Sequence, residues 1–107
     1  MQKTIEPVNF NASQDLIQRI DEMFDGLDKY YDEIISADIY LKSLTETPKS
    51  EKLMEIKVFL PGKDLFIEEQ GSDFVTVAQK VFDVAKRKLS ELKDKAKDRR
   101  EPRVDKF

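Results

Sequence analysis

The sequence predicts an α+β fold of the order β-α-β-β-β-α, in which a four-stranded sheet carries two helices packed on one face. Two long segments repeat apolar residues with the period of about 3.6 residues that is typical of an amphipathic helix. Three consecutive segments alternate apolar and polar residues, as half-buried strands do. Each helix has one apolar stripe to bury and the sheet has one apolar face, so a two-layer packing is the economical arrangement.

The first two predicted elements are a strand and a helix. The strand lies within KTIEPVNFNA, and Pro7 indicates an edge or bulged position because proline cannot donate a ladder hydrogen bond. Ser13 is a predicted N-cap, and Asp15 in the first turn complements the helix dipole. The helix is predicted to run for about five turns. Its apolar positions are Leu16, Ile20, Met23, Phe24, Leu27, Tyr30 and Tyr31.

Three strands are predicted to follow as an antiparallel meander. The segments IISADIYLKSL and LMEIKVFL alternate with a period of two, and the polar loop 45–52 between them is expected to be mobile. A Pro-Gly turn, in which Gly62 can take a positive φ, leads into the last strand, DLFIEEQ.

The second predicted helix begins after Ser72, its expected N-cap, and reaches Arg100. Such a helix is about 40 Å long, which exceeds the width of a small sheet, so its end should project. The predicted core combines both helices with the inner face of the sheet: Leu16, Ile20, Phe24, Leu27, Ile39, Leu41, Ile56, Val58, Val81, Phe82, Ala85 and Leu89.

Charge is distributed unevenly along the chain. Residues 80–107 have a net charge of +5, whereas residues 1–79 have a net charge of −8. Helical spacing sorts the cations of the last helix into two flanks of its apolar stripe, Lys86, Lys93 and Lys97 on one and Lys88, Lys95 and Arg99 on the other. This asymmetry indicates a surface for an anionic partner, nucleic acid before membrane. The alternative is a solvated helix rich in ion pairs.

Composition excludes most catalytic chemistry. The chain has no cysteine and no histidine, which removes disulfides, thiol nucleophiles and the usual general base. Its acidic pairs, such as Asp21 and Glu22, are adjacent in sequence and should point apart. We therefore expect no enzyme, cofactor, metal site or small-molecule substrate. No apolar run suits a membrane span and no signal peptide is recognisable, so a cytoplasmic location is expected.

Four stretches carry a likeness to a known family: MQ with Asn9 before the Ser-capped helix, LDKYYDEIISADIYL, LPGKDLFIEEQGSDF and KRKLSELKDKAKDRR. They resemble the ribosome hibernation-promoting factor family, which includes the ribosome-associated inhibitor and has the older label sigma-factor modulation protein. The resemblance implies one ribosome-binding α+β domain over residues 1–100, with an outline similar to double-stranded-RNA-binding domains. Residues 101–107 are then expected to be a short polar tail, without the C-terminal dimerisation domain of long members.

The same resemblance implies a function in translation regulation during stress. Family members bind the small ribosomal subunit and its rRNA in the channel used by mRNA and tRNA, and so keep idle ribosomes in hibernation. Family basic positions match at Lys29, Arg87, Lys95 and the pair Arg99 and Arg100. The expected RNA-binding set, which joins these matches to the two helical flanks, is Lys29, Lys86, Arg87, Lys88, Lys93, Lys95, Lys97, Arg99 and Arg100.

Two other functions stay open on the sequence. One is a protein-binding regulator of a transcription sigma factor, which would use the acidic first helix or a sheet edge. The other is a structural subunit that associates through Tyr40, Phe59 and Phe66, which should share the outer sheet face. Those aromatic residues could also stack unpaired bases or be surface residues without a role. A monomer is expected, with self-association through the sheet face as the alternative.

Overall fold

A computed structural model describes residues 1–44 and 51–100, with side chains described as far as Lys95. Its elements are β1 (Gln2–Pro7), α1 (Gln14–Asp25), a 3-10 helix (Gly26–Lys29), β2 (Ser36–Ser43), β3 (Lys52–Leu60), β4 (Lys63–Gly71) and α2 (Phe74–Arg100). The predicted α+β class and its β-α-β-β-β-α order are confirmed. Most of the predicted mobile loop and the whole tail 101–107 lie outside the described residues.

The four strands form one sheet in the order β1-β2-β3-β4. β1 pairs parallel with β2 at the edge, as Pro7 indicated, while β2, β3 and β4 form the predicted antiparallel meander. Beyond Pro7, the side-chain amide of Asn9 donates to the Ser43 carbonyl at 2.8 Å and accepts from the Ser43 N–H at 3.0 Å. This side chain thus continues the β1–β2 pairing where the strand itself has ended.

Both helices lie on one face of the sheet, with α2 across β3 and β4 and α1 against β1. The alternating residues of β2 and β3, including Ile39, Leu41 and Ile56, are fully buried beneath them. All predicted core residues are buried except Leu16 and Phe82, which are partly exposed and pack against the core. The two periodicities in the sequence therefore identified the inward faces correctly.

The first helix is shorter than predicted. α1 ends at Asp25, and the N–H of Gly26 reaches back to the carbonyls of Met23 and Phe24 before the chain tightens into the 3-10 helix. Glycine is about 1 kcal/mol less favourable than alanine inside a helix, so Gly26 is a position at which the α-helix ends readily. Leu27 still points inward from the tighter turn and is fully buried.

The N-cap of α2 is Asp73 and not the predicted Ser72. The two Asp73 carboxylate oxygens accept from the Thr76 N–H at 2.9 Å and from its hydroxyl at 3.0 Å. The next residue, Phe74, is buried and stacks on Phe10 with ring centroids 5.1 Å apart, so the helix must begin where Phe74 can enter the core. The Thr76 backbone N–H and then its hydroxyl hold the pKa of Asp73 below its ordinary value of 3.8.

A lysine on the inner face of β1 joins the edge strand to α1. The Lys3 side chain is only 9% exposed and lies between the carboxylates of Asp21, at 3.3 Å, and Asp25. Burial alone would lower the pKa of Lys3, but the hydrogen bonds and charges of the two carboxylates outweigh it and raise that pKa. The pairing explains how a cation is accommodated at the margin of an apolar layer.

Truncation of Leu27 tests which face of the first helical segment is inward. Because Leu27 is fully buried, Leu27→Ala should lower the free energy of unfolding by about 2–5 kcal/mol in a denaturant titration. Ile35→Ala is the matched control, since Ile35 is 59% exposed and its loss should stay within about 0.5 kcal/mol. Equal costs for the two variants would contradict the assigned core.

The cap of α2 predicts an acid-dependent contribution to stability. Since the folded state lowers the pKa of Asp73, its contribution is present above pH 3.8 and is lost as the pH falls through the lower folded-state value. Asp73→Ser keeps an N-cap oxygen without a titrating carboxylate. Its free energy of unfolding should therefore change less than the parent's when denaturant titrations are repeated from about pH 6 down to about pH 3.

Ser72→Ala is the control for this experiment and should leave the parent's pH profile unchanged. If Ser72→Ala flattened the pH profile of unfolding and Asp73→Ser left it unaltered, the N-cap of α2 would be Ser72, as the sequence had predicted.

Candidate nucleic-acid interface

α2 has one buried stripe, and most of the described cations of this helix lie on the two flanks of that stripe. The stripe packs on β3 and β4 and consists of Phe74, Val77, Ala78, Val81, Ala85 and Leu89. Helical geometry then directs one flank toward α1 and the 3-10 helix and the other toward β4. The face opposite the core holds the exposed side chain of Arg87.

The flank toward the 3-10 helix is built on aromatic packing. Phe82 makes edge contacts with Phe24, at 5.6 Å between ring centroids, and with Tyr30, at 6.3 Å. The Lys86 ammonium lies 5.8 Å from the centroid of the Tyr30 ring, within the range of a cation–π interaction. Lys29, which precedes Tyr30, is exposed at the end of the 3-10 helix.

The flank toward β4 forms a shallow groove with a cationic rim. The groove is lined by Lys63, Leu65, Lys88, Glu91, Leu92 and Lys95. Lys63 is the first residue of β4, so two elements that are far apart in sequence supply the three lysines. Three lysines and one glutamate line the groove, which is therefore locally positive in a protein whose net charge is −3.

None of the described cations on these flanks forms a salt bridge. Among residues 1–44 and 51–95, the bridges involve the N-terminal amine, Lys3, Lys42 and Lys57. The described cations outside these bridges include Lys29, Lys63, Lys86, Arg87, Lys88, Lys93 and Lys95. Arg87 stands four residues from both Asp83 and Glu91, the spacing at which helical ion pairs form, yet it pairs with neither. The described part of α2 is thus not the ion-paired helix of the alternative interpretation.

The structure separates the predicted RNA-binding residues into groups. Lys88 and Lys95 meet in the groove, while Lys29 and Lys86 lie beside Tyr30. Lys93 is exposed. The side chains of Lys97, Arg99 and Arg100 lie outside the described ones.

Lys63 was missed by the sequence reasoning. Its only local signal was a basic residue beside a turn, and its relevance depends on α2 lying across β4.

The outer face of the sheet is less suited to RNA than the sequence suggested. Phe66 is 57% exposed, but Tyr40 and Phe59 are only partly so. Glu55 and Glu68 are directly paired on the same face, between positions that aromatic residues occupy. Glu55 is paired with Lys42 at 3.2 Å and Lys57 is opposite Phe66, so charged side chains of both signs separate Tyr40 from Phe66 and the aromatic residues do not form a continuous base-stacking platform.

Two other kinds of site are absent from the described residues. That part of the chain contains no cluster of three or more acidic, histidine or cysteine side chains placed to hold a metal ion. Its helices also include none with the length and apolar character needed to cross a membrane.

Comparisons with known proteins agree with the fold. The family model described as Sigma 54 modulation protein / S30EA ribosomal protein matches residues 4–97. The N-terminal domain of Protein Y from Thermus thermophilus superposes with a TM-score of 0.73 at 21% identity, covering 86% of this chain and 99% of that one. A ribosomal subunit interface protein from Coxiella burnetii gives a TM-score of 0.73 at 18% identity, covering 88% and 99%. A search of curated proteins gave no match.

Proposed function

The chain belongs to the Sigma 54 modulation protein / S30EA ribosomal protein family, and from this premise we propose that it is a translation inhibitor that binds the small ribosomal subunit. The surface that binds is on α2, whose described cations form no salt bridge, and the ligand is the phosphate backbone of rRNA. The bound protein occupies the channel used by mRNA and tRNA, and so keeps idle ribosomes inactive in the cytoplasm. The function requires binding and no catalysis.

The observation that carries this proposal is the set of cations around α2 that form no salt bridge. Contacts to an RNA backbone come from lysine and arginine, and local rather than net charge steers a protein toward a polyanion. Cations already held by neighbouring carboxylates would have to give up those partners before they could bind phosphate. In this protein Arg87, Lys93 and Lys95 are exposed and have no such partner among the described side chains.

Inhibition follows from occupancy. A protein seated on rRNA phosphates excludes other chains from the same channel by its volume, and its cations release the counterions of the phosphates that they neutralise. Residues 1–79, with a net charge of −8, repel other nucleic acids. The acidic part of the protein therefore restricts binding to sites that α2 can reach.

Regulation of a sigma factor is the less favoured alternative. That function would use the acidic first helix or a sheet edge, and it would give the cations of α2 no role. It also predicts binding that depends little on salt, whereas rRNA binding weakens steeply as salt rises.

Charge reversal on α2 tests the proposed function. Lys93→Glu combined with Lys95→Glu changes two exposed cations, and it should weaken co-sedimentation with purified small ribosomal subunits at least about tenfold at moderate salt. The slope of log affinity against log salt should also become shallower by about 0.7–0.9 for each lost phosphate contact. Far-UV circular dichroism and unfolding should match those of the parent, because neither residue fills the core.

The matched control is Arg19→Glu combined with Lys57→Glu, which reverses two exposed cations on α1 and on the outer sheet face. It alters the net charge by the same amount as the α2 variant. Near-parental binding would therefore show that the position of the cations, and not the total charge, determines the affinity for the subunit. Parental binding by the α2 variant, or salt-independent binding by the parent, would contradict the rRNA proposal.

A further inference from the structure

We infer that the two flanks of α2 are not equivalent and that RNA lies along the β4 flank, where Lys63, Lys88 and Lys95 hold its phosphates. This inference rests on the proposed function and adds to it a residue, Lys63, and a direction of approach. The flank with Lys29 and Lys86 then faces away from the RNA backbone.

The groove has the geometry to follow a phosphate backbone. Lys88 and Lys95 lie two helical turns apart, about 10.5 Å along the axis of α2. Lys63 faces them from the start of β4, immediately after the turn that Gly62 makes possible with its φ of 76°. Because α2 packs directly on β4, the backbone segments that carry the lysines on the two sides of the groove are held next to each other.

The lining of the groove leaves its ammonium groups available. Leu65 and Leu92 are partly buried and form an apolar floor. The Lys88 side chain is half-buried, as expected of a lysine whose methylene stem lies on apolar surface while its charged end stays in water. Glu91 is the single carboxylate among the lining residues. A phosphate entering the groove therefore meets more positive than negative charge and displaces no salt bridge.

The opposite flank is electrostatically poorer for the same ligand. Lys86 is already directed at the Tyr30 ring. The 3-10 helix packs against α2 here, and residues 25–33 that contain it carry four carboxylates and one lysine, Lys29. Asp25 is paired with Lys3 and Asp28 with the N-terminal amine, while Asp32 and Glu33 are exposed and form no salt bridge among the described residues. Screening acts over about 8–10 Å at ordinary ionic strength, so these carboxylates repel a phosphate placed beside Lys86.

Two charge-matched double variants separate the flanks. Lys63→Glu with Lys88→Glu alters the groove, and Lys29→Glu with Lys86→Glu alters the other flank. Each pair reverses one exposed and one half-buried lysine. In co-sedimentation of the full chain with purified small ribosomal subunits, the groove variant should bind at least about tenfold more weakly than the parent. The other variant should stay within about threefold. Only the groove variant should show a shallower salt slope.

Denaturant titrations of both variants show whether each is folded, and Lys63→Gln and Lys88→Gln provide milder changes if a reversed pair unfolds. Equal losses for the two pairs, or a larger loss for the pair with Lys86, would overturn the inference while leaving the proposed function in place. Failure of the parent to bind subunits at all would instead remove the proposed function, and this inference with it. A loss in the groove variant without a change in salt slope would point to a protein surface of the subunit and would also overturn the assignment to RNA.

Discussion

The apolar stripe of α2 has to be buried against β3 and β4, and the placement of the other elements follows from that requirement. Burying each large apolar side chain contributes about 1.5–3 kcal/mol, and the stripe includes Val77, Val81 and Leu89, all fully buried. Once the stripe faces the sheet, the remaining positions of this 27-residue helix are distributed between two flanks and an outer face. The cations are confined to these positions because a buried charge needs a partner. Lys3 of β1 is largely buried, and it meets this condition because Asp21 and Asp25 pair with it.

Much of the fold could be predicted because local patterns determine it. Periods of two and of about 3.6 residues identified the strands, the helices and nearly all the core. The wrong predictions concerned helix ends, where several neighbouring residues are able to cap or end a helix. Ser72 and Asp73 are both good caps, and the choice was made by the burial of Phe74 against Phe10, a contact between distant segments. The end of α1 at Gly26 is likewise clear only in three dimensions, because the apolar period continues through Leu27 to Tyr30.

The candidate site was predictable to a smaller extent. Helical spacing assigned the lysines of α2 to two flanks, but it could not tell what each flank faces. Lys63 enters the groove because β4 passes beneath α2, and Lys86 is directed at Tyr30 because the 3-10 helix packs beside it. The absence of salt bridges on the described part of α2 is likewise a property of side-chain placement. The sequence gives the net charge of a segment. Binding depends on which charged side chains lie on the same surface, and that depends on the fold.

The unlike surroundings of the two flanks also bear on how fast the protein can associate with a polyanion. A groove lined by three lysines lies on one side of α2, and residues 25–33, which carry four carboxylates and one lysine, pack on the other, so charge is unequal across the helix. If RNA binds in the groove as proposed, the field of its surface acts on this unequal charge within a Debye length of about 8–10 Å and turns the groove toward the phosphates before contact. Orientation is a main reason why protein association falls below the diffusion limit. Segregated charge therefore increases the fraction of encounters that begin correctly aligned, with no increase in net positive charge.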